Sequence, residues 1–123
     1  IGEATFGMKM PGWVTDGPEM FRTQTGVLGM LWSSWGENRY AQGIAYSTSG
    51  SIHGPWIQEE KAFKGDNSGH GMLFRTFDGQ LRYVVHHQEG NNAPRKPQLW
   101  EADDSGDKLV LGHQITVTDK LNF

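Results

Sequence analysis

The sequence predicts an all-β protein made of two four-stranded antiparallel blades of a β-propeller. Its main support is an internal repeat, because Met20-Phe21-Arg22-Thr23 returns 53 residues later as Leu73-Phe74-Arg75-Thr76. The same offset carries Gly26 onto Gly79, and each copy continues as short strand-like segments separated by glycine-containing turns. A repeat of this length with about four strands per unit is typical of a propeller blade.

Composition agrees with this fold class. The 123 residues include 17 glycines, about twice the usual share of ~7%, together with five Trp, three Tyr and six Phe. Many glycines and aromatic residues favour a turn-rich β protein over a helix bundle. Only two copies of the repeat fit in the chain, whereas propellers close with about four to eight blades. The chain is therefore expected to form part of a ring.

The repeat also predicts how the chain is divided. Residues 1–14 are expected to be a connecting segment, 15–66 the first blade and 67–123 the second blade. Alternation of apolar and polar residues between turn signals places the strands. In chain order these are Glu19–Thr23, Val27–Ser34, Ala41–Ser47 and a strand beginning at Trp56, then Met72–Phe77, Leu81–His87, Gln98–Ala102 and Leu109–Ile115.

Charge and composition also limit the partners. The net charge is −3 and no basic stripe is present, which argues against nucleic acid. No apolar run approaches the ~20 residues that a membrane-spanning helix needs, so no membrane partner is expected. The chain has no cysteine, which excludes disulfides and thiolate zinc sites.

One short motif precedes the first strand of each unit, and both motifs could contribute to a functional site. Asp16 lies in Val14-Thr15-Asp16-Gly17-Pro18, where Gly17 and Pro18 would hold a carboxylate in a fixed position. An ordinary turn is the competing interpretation and is favoured by residue type alone. His70 lies at the corresponding place in the second unit, flanked by Gly69 and Gly71. It could bind a ligand or a cation, or it could be a plain loop residue.

Other candidates are aromatic or basic. Trp32, Trp35 and Trp100 could stack on sugar rings, although aromatic residues at strand spacing more often pack between blades. Trp35, near a strand end, is the preferred residue for stacking. Arg95, in a polar loop, could hold a ligand oxygen or simply be solvated. The adjacent His86 and His87 are expected to point to opposite faces of a strand, so together they cannot bind one metal ion.

Taken together, these motifs resemble glycoside hydrolase family 43. The resemblance extends from about residue 13 to residue 113 and depends on several elements in the right order. Those elements are Val14-Thr15-Asp16-Gly17-Pro18, Leu31-Trp32-Ser33-Ser34, Ile44-Ala45-Tyr46-Ser47, Gly54-Pro55-Trp56, Gly69-His70-Gly71 and Phe74-Arg75-Thr76. The resemblance implies a five-bladed propeller that hydrolyses plant polysaccharides containing arabinose or xylose, in an extracellular or periplasmic location.

The resemblance also implies roles for individual residues. Asp16 stands where the family usually has a glutamate as general acid, and Glu19 is the second choice for that role. His70 matches a histidine near the propeller axis that often helps to hold a calcium ion or a water, and no cofactor is expected to be required. Arg95 is similar in position to an arginine that contacts substrate. His70, Arg95 and Trp35 are thus the expected substrate-binding residues.

The same resemblance predicts what this chain lacks. The general base of the family comes from earlier blades, so the chain is expected to be a C-terminal-half fragment that is inactive alone. The alternative function is a carbohydrate-binding propeller module without catalysis, using Trp35, His70 and Arg95. In either case, blades that expose apolar faces should associate, and a homo-oligomer is expected.

Overall fold

A computed structural model describes residues 3–5, 11–13, 15–36, 39–90 and 92–116. Ten β-strands and no helices lie within these ranges. The first two, β1 (Glu3–Thr5) and β2 (Pro11–Trp13), pair antiparallel with each other inside the predicted connecting segment. Within the described ranges, no helix is long and apolar enough to cross a lipid bilayer.

The other eight strands form two four-stranded antiparallel sheets, as the sequence predicts. In each sheet, strands adjacent in sequence are also adjacent in space. The first sheet consists of β3 (Asp16–Arg22), β4 (Leu28–Gly36), β5 (Arg39–Ser47) and β6 (Trp56–Gln58). The second consists of β7 (Ser68–Arg75), β8 (Leu81–His87), β9 (Lys96–Asp103) and β10 (Val110–Ile115). These strands fall inside the predicted blades, 15–66 and 67–123. The exact first and last residues of each blade stay predictions.

The repeat extends to individual hydrogen bonds at the first turn of each sheet. The amide of Gly26 donates to the Thr23 carbonyl and that of Gly79 to the Thr76 carbonyl, each at 2.9 Å. The guanidinium of Arg22 donates to the Gly26 carbonyl at 3.1 Å, and that of Arg75 to the Gly79 carbonyl at 3.2 Å. The two units are therefore copies of one local structure.

The predicted strand starts are three or four residues late in both sheets. β3 begins at Asp16 instead of Glu19, and β7 at Ser68 instead of Met72. In each case the register shifts within the strand, as at a β-bulge. The glycines and the proline read as turn signals in fact lie in a bulge, beyond which pairing continues.

The core lies between the two sheets. Leu31 and Ile44 of the first sheet pack with Tyr83 and Val85 of the second, and with Leu109 just before β10. Full burial of such side chains stabilises the fold by roughly 1.5–3 kcal/mol each. This packing fixes one sheet against the other and brings the two bulges together.

Candidate functional site

The two bulges are equivalent positions of the repeat. Asp16 pairs with Ser33 and Glu19 with Leu31, while Gly69 pairs with His86 and Met72 with Val84, so every position is offset by 53 residues. Within the bulges, Gly17 has φ +53° and His70 has φ +55°. This left-handed region suits glycine but costs an ordinary side chain about 1–2 kcal/mol. His70 is thus held in an unfavourable backbone conformation at an exposed position.

The imidazole of His70 lies directly against Gly17 of the other sheet. A Cβ atom added to Gly17 would be 2.9 Å from Nδ1 and 3.0 Å from Cε1 of His70. The first unit therefore needs glycine at this position for two reasons, the backbone angle and the space that the His70 ring occupies. Gly17 and His70 are consequently two halves of one contact between the sheets.

Polar side chains of the first sheet hold the backbone of the His70 bulge. The His70 amide donates to Oγ of Ser33 at 2.7 Å, and the Gly71 amide donates to Oε1 of Gln42 at 2.7 Å. The Tyr83 hydroxyl donates to the same Gln42 oxygen at 2.9 Å. Ser33, Gln42 and Tyr83 are fully buried, and burial raises the pKa of the Tyr83 hydroxyl. These bonds satisfy two backbone donors that the bulge removes from the regular ladder.

Tyr40 is the centre of an aromatic cluster beside this bulge. Its ring packs edge-on to Trp35 with 5.7 Å between centroids, and the His86 ring stacks on it at 5.5 Å. The guanidinium carbon of Arg95 lies 5.5 Å from the Tyr40 centroid. The His70 ring is 6.0 Å from that of His86. Of the three predicted substrate-binding residues, Trp35 and Arg95 therefore contact Tyr40 directly, and His70 joins the cluster through His86.

No motif in the sequence indicates a role for Tyr40, although its place opposite Trp35 in the β4–β5 pair is a local signal that could have suggested one. Tyr40 pairs with Trp35 across β4 and β5, so the two side chains share a face. A Cβ atom on Gly69 would lie 2.1 Å from Cε1 of Tyr40, so the glycine before His70 makes room for this ring. The Tyr40 amide donates to Oδ1 of Asn67 at 3.1 Å, which anchors the platform to the segment before β7.

The imidazole of His86 has a lower pKa than that of an exposed histidine. Burial, then the positive charge of Arg95, then His70 lower the pKa of His86 below its usual value. Its imidazole is therefore neutral at neutral pH and can both accept and donate a hydrogen bond.

His87 points to the side of β8 opposite to His86, where its Nδ1 lies 3.0 Å from Oγ of Ser68. The prediction that these two histidines face opposite sides of the strand is confirmed.

The two candidate acids have different surroundings. Asp16 is exposed, and its Oδ1 accepts from the Gly17 amide at 2.8 Å. It also lines a groove with Pro18 and Trp32. Glu19 is half-buried, and its Oε1 lies 3.5 Å from the Leu73 amide of the second sheet. The two carboxylates therefore lie in different surroundings, Asp16 at the groove and Glu19 near the Leu73 amide of the second sheet.

The two other tryptophans considered for sugar stacking, Trp32 and Trp100, have structural partners. The indole of Trp32 donates to Oε1 of Gln58 at 2.7 Å. Trp100 packs on the core, with the ammonium of Lys64 5.0 Å from its ring centroid. Trp100 is therefore a packing residue, whereas Trp32 lines the groove beside Asp16.

The surroundings of His70 do not form a direct calcium site. In the part of the chain that the structure describes, no group of three or more His, Asp or Glu side chains could hold a metal ion. The rings nearest to His70 are Tyr40 and His86, whereas calcium prefers six to eight oxygen ligands. The described residues thus fit a water near His70 better than a calcium ion bound by this chain.

Solved structures of glycoside hydrolases resemble this chain. An endo-arabinase from Bacteroides thetaiotaomicron VPI-5482 is 37% identical, with a TM-score of 0.71 over 80% of this chain and 34% of the arabinase. An endo-1,4-beta-xylanase from the same organism is 22% identical, with a TM-score of 0.64 over 89% of this chain and 40% of the xylanase. A thermostable family-43 glycoside hydrolase is 20% identical, with a TM-score of 0.70 over 88% of this chain and 38% of that one.

The chain has a family-43 glycoside hydrolase-like fold, and its two sheets correspond to propeller blades. The predicted resemblance and fold class are confirmed. The chain spans about a third to two fifths of these structures, from 34% of the arabinase to 40% of the xylanase. No protein-family model matches the sequence, and no curated protein matches it significantly.

Proposed function

We propose that this chain supplies part of the active site of a glycoside hydrolase acting on polysaccharides that contain arabinose or xylose. The observation that carries the proposal is a cluster in which Trp35 and Arg95 contact Tyr40, and His70 joins through the His86 ring that stacks on Tyr40. The chain that carries this cluster is 37% identical in sequence to an endo-arabinase, with 80% of this chain covered. Polysaccharide substrates are too large to cross a membrane, which favours an extracellular or periplasmic location.

Asp16 is the proposed general acid. It is exposed, lies at a strand entry and immediately precedes Gly17, which contacts His70. Its carboxyl would donate a proton to the glycosidic oxygen as the bond to the anomeric carbon breaks. Glu19 is the second candidate, although its contact with the Leu73 amide draws it between the sheets.

The cluster is the proposed sugar-binding surface. Aromatic rings stack on the apolar faces of sugars, a role for Trp35 supported on Tyr40. Arg95 can donate two parallel hydrogen bonds to sugar oxygens. His70 is exposed and can bind a hydroxyl directly or through an ordered water. A calcium ion at the propeller axis, held with help from His70 through water, stays part of the proposal, and no step depends on it.

The chain alone should not hydrolyse glycosides. Inverting hydrolysis needs a second carboxylate about 6.5–9.5 Å from the acid, with a water between them. The family resemblance places that base on blades that this sequence does not contain. A binding surface without turnover is the expected behaviour of the isolated chain.

Asp16→Asn in the full-length product of the gene tests the acid role. General acid catalysis contributes about 10²–10⁴-fold, so turnover of aryl arabinofuranosides with poor leaving groups should fall by that factor. Substrates with activated leaving groups should lose much less. Glu19→Gln is the matched control and should stay near wild type. If Asp16→Asn keeps full activity and Glu19→Gln loses activity, Glu19 is the general acid.

The second candidate function is carbohydrate binding without catalysis. The Tyr40 cluster supports it directly, because Trp35, Tyr40 and Arg95 all belong to this chain, whereas the general base is expected outside it. The full-length gene product discriminates between the two. Binding of arabino- or xylo-oligosaccharides with no hydrolysis of any of them would favour the binding module. The proposal in either form includes self-association of copies through exposed apolar residues of the described sheets, such as Met72 and Phe74.

A further inference from the structure

Asn67 links the two sheets at the edge of the Tyr40 cluster. Its Oδ1 accepts from the Tyr40 amide at 3.1 Å, and its Nδ2 donates to the Gln88 carbonyl at 3.0 Å. Its backbone carbonyl also accepts from the Gln88 amide at 3.2 Å. Tyr40 is the second residue of β5 in the first sheet, and Gln88 directly follows β8 in the second. Asn67 therefore bonds both the platform of the cluster and the start of the loop that ends at Arg95.

The topology of the first sheet explains why Tyr40 needs a side-chain acceptor. β6 is short and pairs with residues 45–47 of β5, so in the part of the chain that the structure describes no strand borders the start of β5 on that edge. The segment that leads to β7 runs along this edge instead, where the Gln42 amide donates to the Lys64 carbonyl at 2.8 Å. Tyr40 is buried, and buried backbone donors have to be paired. The Asn67 side chain thus takes the place of a strand partner.

The backbone conformation and the two bonds together select asparagine at position 67. Asn67 has φ +54°, in the left-handed region that asparagine adopts more readily than most residues. Both of its side-chain partners are backbone groups with fixed roles, an N–H and a C=O, so the site needs one acceptor and one donor. Aspartate would supply the acceptor alone, and glycine would supply neither. Asparagine meets all three requirements.

The loop after β8 carries this link on to Arg95. The Gln88 side chain donates from Nε2 to the Ala93 carbonyl at 2.7 Å. Pro94 follows, and its ring fixes its own φ angle immediately before Arg95. The guanidinium carbon of Arg95 lies 5.5 Å from the Tyr40 centroid. The contacts therefore form a closed ring that consists of Tyr40, Asn67, Gln88, Ala93 and Arg95.

We propose that Asn67 is a positioning residue that holds the Arg95 loop against the Tyr40 platform. With the loop fixed, the guanidinium is in place before a ligand arrives, so less side-chain freedom is lost on binding. Every contact in the ring joins two described residues of this chain, and most of them join backbone atoms. The predicted effect on sugar affinity rests on the proposed function, whereas the predicted position of Arg95 is independent of it.

Two substitutions at Asn67 and one at its neighbour test the proposal. Asn67→Gly removes both side-chain bonds and carries no steric cost for the left-handed backbone. Asn67→Asp keeps an acceptor for the Tyr40 amide but cannot donate to the Gln88 carbonyl. Asp66→Gly is the matched control, because Asp66 also has a positive φ, at +62°, and its side chain is exposed. Circular dichroism confirms that each variant folds, and Asn67→Asp alone serves if Asn67→Gly unfolds.

The position of Arg95 is measured first, by NMR and without sugar. In the wild type, the Arg95 side-chain protons should show ring-current shifts and nuclear Overhauser contacts from the Tyr40 ring. Both Asn67 variants should lose these signals, and Asp66→Gly should keep them. The proposal is overturned if the wild type lacks the signals or if either Asn67 variant keeps them. Loss of the signals in Asp66→Gly would also overturn it, because the backbone and not the Asn67 side chain would then place Arg95.

Sugar affinity is measured second, by calorimetry with arabino- and xylo-oligosaccharides. Asn67→Gly should weaken binding about fivefold, roughly the cost of immobilising one more side chain. In an Arg95→Gln background the same substitution should change affinity by no more than about twofold, because Asn67 acts through Arg95. Equal weakening in both backgrounds would contradict the positioning role. If the wild type binds no sugar but the NMR signals change as predicted, the proposed function fails and the positioning of Arg95 by Asn67 is confirmed.

Discussion

The imidazole of His70 occupies the space that a side chain at Gly17 would need, with Nδ1 2.9 Å from the position of an added Cβ. The two residues are equivalent positions of the repeat, and both have φ near +55°, at +53° and +55°. One blade thus uses glycine where the other presents a histidine. This difference between otherwise similar units creates the candidate site.

Gly17→Ala should lower both stability and ligand binding. The left-handed backbone costs alanine about 1–2 kcal/mol, and the new methyl group would also displace the His70 ring. Gly79→Ala is the matched control, because Gly79 has φ +87° but no atom within 4 Å of an added Cβ. Urea denaturation should show a larger loss for Gly17→Ala than for Gly79→Ala. Equal losses, with unchanged His70 imidazole resonances, would show that the contact is unimportant.

Removal of the Gln42 amide should loosen the His70 bulge. Gln42→Leu leaves the Gly71 amide and the Tyr83 hydroxyl without their buried acceptor. Each unsatisfied buried donor costs about 1–3 kcal/mol. Tyr83→Phe removes one of those donors, so the double variant should recover part of the loss. A double-mutant cycle by chemical denaturation should give a coupling of roughly 0.5–3 kcal/mol, whereas additive losses would contradict the network.

His86 should titrate below the usual histidine pKa of 6.5, chiefly because of burial and secondly because of Arg95. In the unfolded chain this group takes up its proton near pH 6.5, while in the folded chain it stays neutral to lower pH. The unfolded state then binds more protons, so the contribution of His86 to stability decreases as pH falls below about 6.5. Arg95→Gln should raise the pKa of His86 without restoring it fully. If an NMR titration finds the same His86 pKa in Arg95→Gln as in the wild type, the charge of Arg95 does not influence His86.

Tyr40 should be required as the platform of the cluster. Tyr40→Leu removes the ring that contacts Trp35, His86 and Arg95. Stacking and cation–π contacts are each worth about 0.5–1.5 kcal/mol, so sugar affinity should fall about tenfold or more. Tyr40→Phe keeps the ring and should bind nearly as the wild type does. Comparable affinities for both variants in calorimetry would mean that the platform has no role in binding.

The fold could be read from the sequence because its evidence is local and repeated. The pair of Phe-Arg-Thr segments and their glycine turns fixed the two units, and alternating side chains placed the strands. The bulges were missed because Gly17 and the glycines around His70 look the same in a turn and in an interrupted strand. Only the pairing with Ser33 and His86 distinguishes the two.

The site could be predicted in part. Trp35, His70 and Arg95 were predicted from residue type and resemblance, and the structure places Trp35 and Arg95 against Tyr40 and His70 beside His86. Their role in binding stays a prediction. Tyr40 and the buried Ser33 and Gln42 were missed because their roles depend on packing between sheets. Gln42 and Gly71 are 29 residues apart in sequence, and no short motif records their hydrogen bond.

The central claim is that the His70 cluster binds arabinose- or xylose-containing sugars. Isothermal titration calorimetry of the isolated chain with arabino- and xylo-oligosaccharides tests it most directly. His70→Asn is the variant of choice, because asparagine tolerates a left-handed backbone, and His113→Asn on the exposed β10 strand is its control. The wild type and His113→Asn should bind with similar affinity, and His70→Asn should bind at least tenfold more weakly. No heat with any oligosaccharide at millimolar concentration, or equal binding by His70→Asn, would contradict the account.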